Sequence, residues 1–156
     1  MKDSLKWCAR LKDGISITEQ DETLAKSYLN EAKASLRRAE KNLADGDLLW
    51  ATVVIYYAEY YALYSFLQRI GVKCENHFCS ILAVERLAGM QRTNTIKQHK
   101  GKRLDAQYYM RIGKEEQVKL MLREAKIFIA EFDTFVSNLT NEEILEYGKR
   151  IKAMIK

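Results

Sequence analysis

Tyr56-Tyr57-Ala58-Glu59-Tyr60-Tyr61-Ala62-Leu63-Tyr64 holds five of the chain's nine tyrosines in nine residues, with no glycine or proline to interrupt it. A tyrosine brings a large apolar ring and one hydroxyl that needs a partner once buried. Five of them on one helix predict a segment covered on most sides. Two stripes run along it at helical spacing. One is Leu49, Val53, Tyr56, Tyr60, Leu63 and Leu67; the other is Trp50, Val54, Tyr57, Tyr61 and Tyr64. A helix apolar on two faces has to be covered by neighbouring elements or by a second subunit. The pattern predicts the central helix of an all-α domain, with one stripe on neighbouring helices and the other facing a homodimer partner.

Outward from this stretch, local signals divide the chain into further helices. Asp47 is placed to cap the tyrosine helix and Gly71 to end it near Ile70. Upstream, Leu24, Tyr28, Ala32, Leu36, Ala39 and Leu43 recur every three or four residues among charges, predicting an amphipathic helix of about 27 residues that ends at Asp45-Gly46. Its start is open between Ser16 with Glu19, at capping-box spacing, and Thr18 with Asp21 and Glu22 nearby. Downstream, Asn76 caps a helix over 77–88 that stops at Gly89. A polar stretch from Gln91 to Lys102, with Gly101 as a breaker, precedes a helical piece over 102–112 ended by Gly113. Lys114 to Asn138 carries Val118, Met121, Leu122, Ala125, Phe128, Ile129, Phe132, Phe135 and Val136 at helical spacing. Thr140 and Glu143 form a capping box for a short last helix. No strand pattern competes, and the absence of proline suits long helices. The expected fold is an all-α, up-and-down bundle of four main helices plus short extra helices. Residues 16–156 form its single domain, and residues 1–15 form an N-terminal arm held down by Trp7 and Leu11.

At 156 residues, 47% hydrophobic and 30% charged, the chain has the size and composition of one soluble globular domain. Glu59 breaks the longest apolar run short of the roughly 18 residues a membrane span requires. The N-terminus has no apolar signal core, so a cytoplasmic protein without a membrane partner is expected. Cys8, Cys74 and Cys79 are odd in number and lack CxxC spacing, which predicts reduced thiols. Cys74, His77 and Cys79 lie within six residues but have no clear fourth ligand, so no metal or other cofactor is expected. The net charge of +5 is uneven. From Arg92 to Lys114 there are seven basic residues (Arg92, Lys97, Lys100, Lys102, Arg103, Arg111, Lys114) against Asp105 alone, so this segment carries +6 and the remainder −1. Such a stretch suits RNA or nucleotide phosphate; a solvated basic face is the plainer alternative.

No Walker A loop, GxGxxG, HExxH or DxD pair is present. Chemistry therefore concentrates in Arg103-Leu104-Asp105-Ala106-Gln107-Tyr108-Tyr109-Met110-Arg111. On a helix, Arg103 and Gln107 share one face, and Asp105 and Tyr109 another. If the helix extends back through Gly101, His99 lies one turn before Arg103. A guanidinium grips phosphate through two parallel hydrogen bonds and stabilises charge developing on it. A tyrosine hydroxyl donates to the same oxyanion, or its ring stacks on a base. The segment thus reads as a phosphate-handling face that needs no metal. The structural alternative pairs Arg103 with Asp105, buries the Tyr108 ring, and leaves His77 as a helix-start contact.

Three segments resemble the HEPN family of higher-eukaryote and prokaryote nucleotide-binding domains. Tyr57-Ala58-Glu59-Tyr60-Tyr61-Ala62-Leu63-Tyr64 is similar to the family's aromatic–alanine helix, and Gly71-Val72-Lys73-Cys74-Glu75-Asn76-His77 to the loop that follows it. Arg103-Leu104-Asp105-Ala106-Gln107-Tyr108-Tyr109 resembles its R-x-x-A-x-Y signature. The resemblance covers about residues 17–138. It implies a dimerising bundle that acts beside a minimal nucleotidyltransferase, in several cases as the toxin half of a toxin–antitoxin pair. Active members are metal-independent ribonucleases with an R-x4–6-H motif, whose arginine and histidine meet in a cleft between two subunits. Arg103 takes the arginine position, but Tyr108 and Tyr109 stand where the histidine would be and none follows closely. A phenol with a pKa of about 10 is a poor base near neutral pH. The expectation is therefore binding of nucleotide or RNA by Lys100, Lys102, Arg103, Gln107 and Arg111. The alternatives are catalysis by Arg103 and Tyr108, with His99 nearby, and a purely structural dimerisation module. In related modules the partner enzyme adds nucleotides to a tyrosine near this motif, which makes Tyr108 and Tyr109 candidates for modification.

Overall fold

The computed structural model describes residues 4–156, which form α1 (Leu5–Arg10), β1 (Ser16–Ile17), α2 (Glu22–Ala44), α3 (Leu48–Ile70), β2 (Val72–Lys73), α4 (His77–Ala88), α5 (Asn94–Tyr109), α6 (Glu115–Ser137) and α7 (Asn141–Met154). A single 3₁₀ turn, Met90–Arg92, joins α4 to α5. The fold is all-α, as the apolar periodicity predicts. No helix among the described residues is long and apolar enough to cross a membrane.

The bundle is organised around α3. Its start is fixed by Asp47, whose carboxylate accepts the Trp50 N–H at 3.1 Å, a cap worth about 1 kcal/mol. Its end is fixed by Gly71 at φ 82°, where a Cβ would lie 2.6 Å from the Thr18 carbonyl oxygen. Between them, sixteen of 23 residues are buried, which makes α3 the interior helix against which α2, α4, α5, α6 and α7 pack. Phe66 anchors one end, with the Phe135 and Tyr147 rings each 5.1 Å away. A smaller cluster of Ala39, Ala51, Ile55, Val118, Met121, Leu122 and Ala125 closes the other end, where α2, α3 and α6 meet. The first tyrosine stripe is covered almost throughout. In the second, Tyr64 is buried but Val54, Tyr57 and Tyr61 are half-buried and Trp50 is exposed.

Three element boundaries differ from expectation. The first long helix begins at Glu22 under an Asp21 cap, and Ser16–Ile17 instead pair antiparallel with Val72–Lys73. This two-residue ladder depends on a partner 55 residues away, which local capping signals do not register. The basic helix, α5, starts at Asn94 and passes through Gly101. Ile96, His99, Arg103 and Ala106 give it a buried stripe, and an interior glycine costs only about 1 kcal/mol relative to alanine. It ends before Gly113, because Met110 turns left-handed at φ 54° and donates its N–H to the Asp105 carbonyl.

The reduced-thiol expectation is overturned for two of the three cysteines. Cys8 and Cys79 are disulfide-bonded, with Cα atoms 5.7 Å apart, across 71 residues of sequence. The link forms because α1 lies on α4, so the N-terminal arm contributes Leu5, Cys8 and Ile15 to the main core. Cys74 is a free, buried thiol.

Candidate anion site

Three helices bring one cluster of side chains together at a half-buried surface. Tyr56, Tyr57 and Tyr60 come from α3. His77 is the first residue of α4, held there by the Asn76 cap on the Cys79 N–H at 3.0 Å. Lys100, Arg103 and Gln107 come from one face of α5, as their spacing requires.

Arg103 is 7% exposed. Its Nη1 donates to Gln107 Oε1 at 3.1 Å and lies 3.5 Å from the Tyr57 hydroxyl. The guanidinium carbon stands 4.7 Å from the Tyr56 ring centre and 5.5 Å from that of Tyr57. Its Nε has no hydrogen-bond partner, and no carboxylate pairs with it among the described residues. Asp105 is exposed and does not form the pair that the structural alternative requires. Taking a cation out of water costs several kcal/mol. Two ring contacts return about 1–2 kcal/mol each at best. Arg103 is therefore a buried cation whose charge the protein leaves uncompensated.

The neighbours sharpen this. The His77 ring stacks on Tyr60 with centres 3.9 Å apart, and its Nδ1 is 2.9 Å from the Tyr56 hydroxyl. Tyr56 thus touches both His77 and Arg103. Burial first, then the charges of Arg103 and Lys100, lower the His77 pKa to about 4, so the ring is neutral at pH 7. Burial, reinforced by Arg103, also lowers the pKa of Lys100, whose ammonium lies 5.7 Å from the Phe78 ring. Burial keeps the Tyr56 phenol protonated well above its ordinary range. The cluster is a concentration of positive potential with neutral hydrogen-bonding groups around it.

One turn back along α5, His99 is fully buried and belongs to a different arrangement. Its Nδ1 is 2.9 Å from both oxygens of Glu59, and its Nε2 is 3.6 Å from Glu124 Oε1. Burial raises the Glu59 carboxyl to about 7, against the opposing pull of His99. This group ties α5 to α3 and α6 and leaves the fully buried His99 out of reach of a ligand.

The sequence-derived candidates therefore divide. Lys100, Arg103 and Gln107 come together. Lys102 and Arg111 line a separate cavity of about 300 Å³ with Asp105, Thr52 and Gly113. Tyr108 and Tyr109 are 64% and 67% exposed and make no contact with Arg103. Tyr108 lies five residues on, which rotates it roughly 140° around the helix from Arg103. The zinc alternative at Cys74, His77 and Cys79 fails because Cys79 is already bonded to Cys8. The residue missed as a participant is His77. No local pattern ties it to an arginine 26 positions away; only the Tyr56–Tyr60 pair on one turn of α3 hints at a ring-binding wall. No protein-family model, curated protein or solved structure matches this chain.

Proposed function

We propose that this chain is a HEPN-like protein that binds the phosphate of a nucleotide or RNA at the Arg103 cluster, where α3, α4 and α5 meet. The observation that carries the reading is Arg103, a buried guanidinium without a carboxylate. A phosphate oxygen pair supplies the missing charge and accepts from its free N–H groups. Lys100 adds charge, Gln107 fixes the guanidinium, and the Tyr57 hydroxyl completes the rim. Dimerisation through the partly open stripe of Trp50, Val54, Tyr57 and Tyr61 covers the remaining apolar face. A minimal nucleotidyltransferase, with which the pair would act as toxin and antitoxin, is the proposed protein partner.

Titration of a nucleoside monophosphate into wild type and Arg103→Met tests the binding reading. The variant should bind at least tenfold more weakly, about 1.4 kcal/mol, while keeping or raising its Tm. A large fall in Tm with affinity unchanged would restore the structural alternative. Light scattering at about twice 18.2 kDa tests the dimer, and co-purification with the product of a neighbouring nucleotidyltransferase gene tests the partner.

A second reading, metal-independent RNA cleavage, is favoured by one observation. His77 from α4 stands across Tyr56 from Arg103, where Tyr108 does not reach. With Nδ1–H donated to the Tyr56 oxygen, Nε2 is free to take the proton of a ribose 2′-hydroxyl. The 2′-oxygen then attacks the adjacent phosphorus, and the 5′-oxygen leaves with a proton from water, giving a 2′,3′-cyclic phosphate and a 5′-hydroxyl. Incubation with RNA in EDTA distinguishes the readings. Cleavage lost in Arg103→Ala and His77→Gln, but kept in Tyr108→Phe, supports catalysis; an inactive wild type leaves binding alone.

A further inference from the structure

The N-terminal arm is fastened to the first turn of α4, which carries His77, not merely to the bundle. Cys8 of α1 is bonded to Cys79, two residues after His77 in the first turn of α4. Trp7 packs edge-on against Phe78 at 6.3 Å, and Phe78 is the ring beneath the Lys100 ammonium. The Asp13 carbonyl accepts from Glu75 N at 3.0 Å and Asn76 N at 2.9 Å, the two residues that lead into His77. Gly14 lies so close under the Cys8 carbonyl that a Cβ there would collide with it, and Ile15 N donates to the same carbonyl at 3.0 Å. Residues 7–15 therefore form one strap whose covalent point lies beside the site.

Apart from the covalent point, the arm is held by Leu5 and Ile15 in the main core and by the two hydrogen bonds to the Asp13 carbonyl. A helix of six residues is too short to persist alone. The β1–β2 ladder and the Thr18 N–H to Gly71 carbonyl bond hold only residues 16–18. Both sulfurs are buried, so an incoming thiol reaches them when α1 opens locally, as short peripheral elements do. Burial raises the pKa of the Cys74 thiol, five residues before Cys79, which suppresses internal attack on the disulfide.

We propose that the Cys8–Cys79 disulfide is a redox latch on the anion site: closed, it holds His77 and Phe78 against Arg103 and Lys100; opened by a dithiol, it releases the arm and the first turn of α4. The step transfers two electrons and two protons from the dithiol, which becomes a disulfide, to the cystine, which becomes two thiols. This regulation rests on the reading of the Arg103 cluster as a phosphate site, but the latch itself has readouts that do not.

The test compares oxidised protein, the same protein in a phosphine reductant, and Cys8→Ser, with Cys74→Ser as control. Hydrogen exchange at residues 4–15 and 75–80 should quicken at least tenfold on reduction and in Cys8→Ser, but not in Cys74→Ser. The His77 ring titration, assigned by its loss in His77→Gln, should move up from about 4 towards the ordinary 6.5. Inorganic pyrophosphate should bind several-fold more weakly to the reduced protein. Unchanged exchange at 75–80 with an unchanged His77 titration overturns the latch, as do three free thiols in air-oxidised protein. Global unfolding on reduction also overturns it, making the bond a staple. If oxidised protein fails to bind pyrophosphate while exchange and titration respond as expected, the latch stands and the phosphate reading falls.

Discussion

Protonating the half-buried His77 places another cation beside Arg103 and Lys100, and the fold resists it. With a folded-state pKa of about 4 against an ordinary 6.5, the unfolded chain binds the extra proton first. Stability from this residue is therefore present above pH 6.5 and is lost as pH falls towards 4. Glu59 runs the other way. Its carboxyl, raised to about 7 from 4.5, keeps its proton longer in the folded state, so its contribution is present at low pH and is lost as pH rises through that window. The two slopes oppose each other between about pH 4.5 and 6.5. In thermal melts, His77→Gln should gain Tm relative to wild type as pH falls from 6.5 to 4.5. Glu59→Gln should gain relative to wild type as pH rises from 5 to 7. Parallel curves for wild type and both variants would show that neither group is perturbed as its burial implies. At this scale the sequence announces Arg103 with Gln107, because i and i+4 is a local relation. It does not announce His77, because the helix angle that brings α4 to Arg103 is a property of the assembled bundle.

Among elements, α5 carries the most information, and Gly101 tests it. A Cβ at Gly101 would meet nothing within 4 Å, and the residue lies in the helix interior. Gly101→Ala should therefore stabilise the protein by about 1 kcal/mol, read as a Tm rise of roughly 2–4 °C. A fall in Tm would mean that the helix is broken there, as the glycine alone suggests. The contrast with α3 explains which boundaries are legible. Asp47 and Gly71 act on their own neighbours, so capping chemistry identifies both ends. The start of α5 is set by Ile96 and His99 packing against other helices, and the start of α2 by a strand partner beyond the next helix. Tertiary contacts overrule the glycine signal in α5, while in α2 they leave the local Asp21 cap as the start.

For the whole molecule, the disulfide is the covalent cross-link among the described residues, and spacing alone cannot reveal a pairing 71 residues apart. Closing a loop of that size removes conformational freedom from the unfolded chain worth about 4 kcal/mol. Reduction should lower Tm by on the order of 10 °C, measured by calorimetry with and without reductant. An unchanged Tm would mean that the bond is absent in solution. The uncompensated Arg103 has a consequence of another kind. An anion that seats there binds the native state and not the unfolded chain, so it draws the folding equilibrium towards itself. At a hundred times its dissociation constant the gain is about 2.7 kcal/mol. Thermal stability would then serve as a gauge of anion occupancy, and melts in phosphate and in chloride at equal ionic strength would differ by several degrees before any cellular ligand is identified.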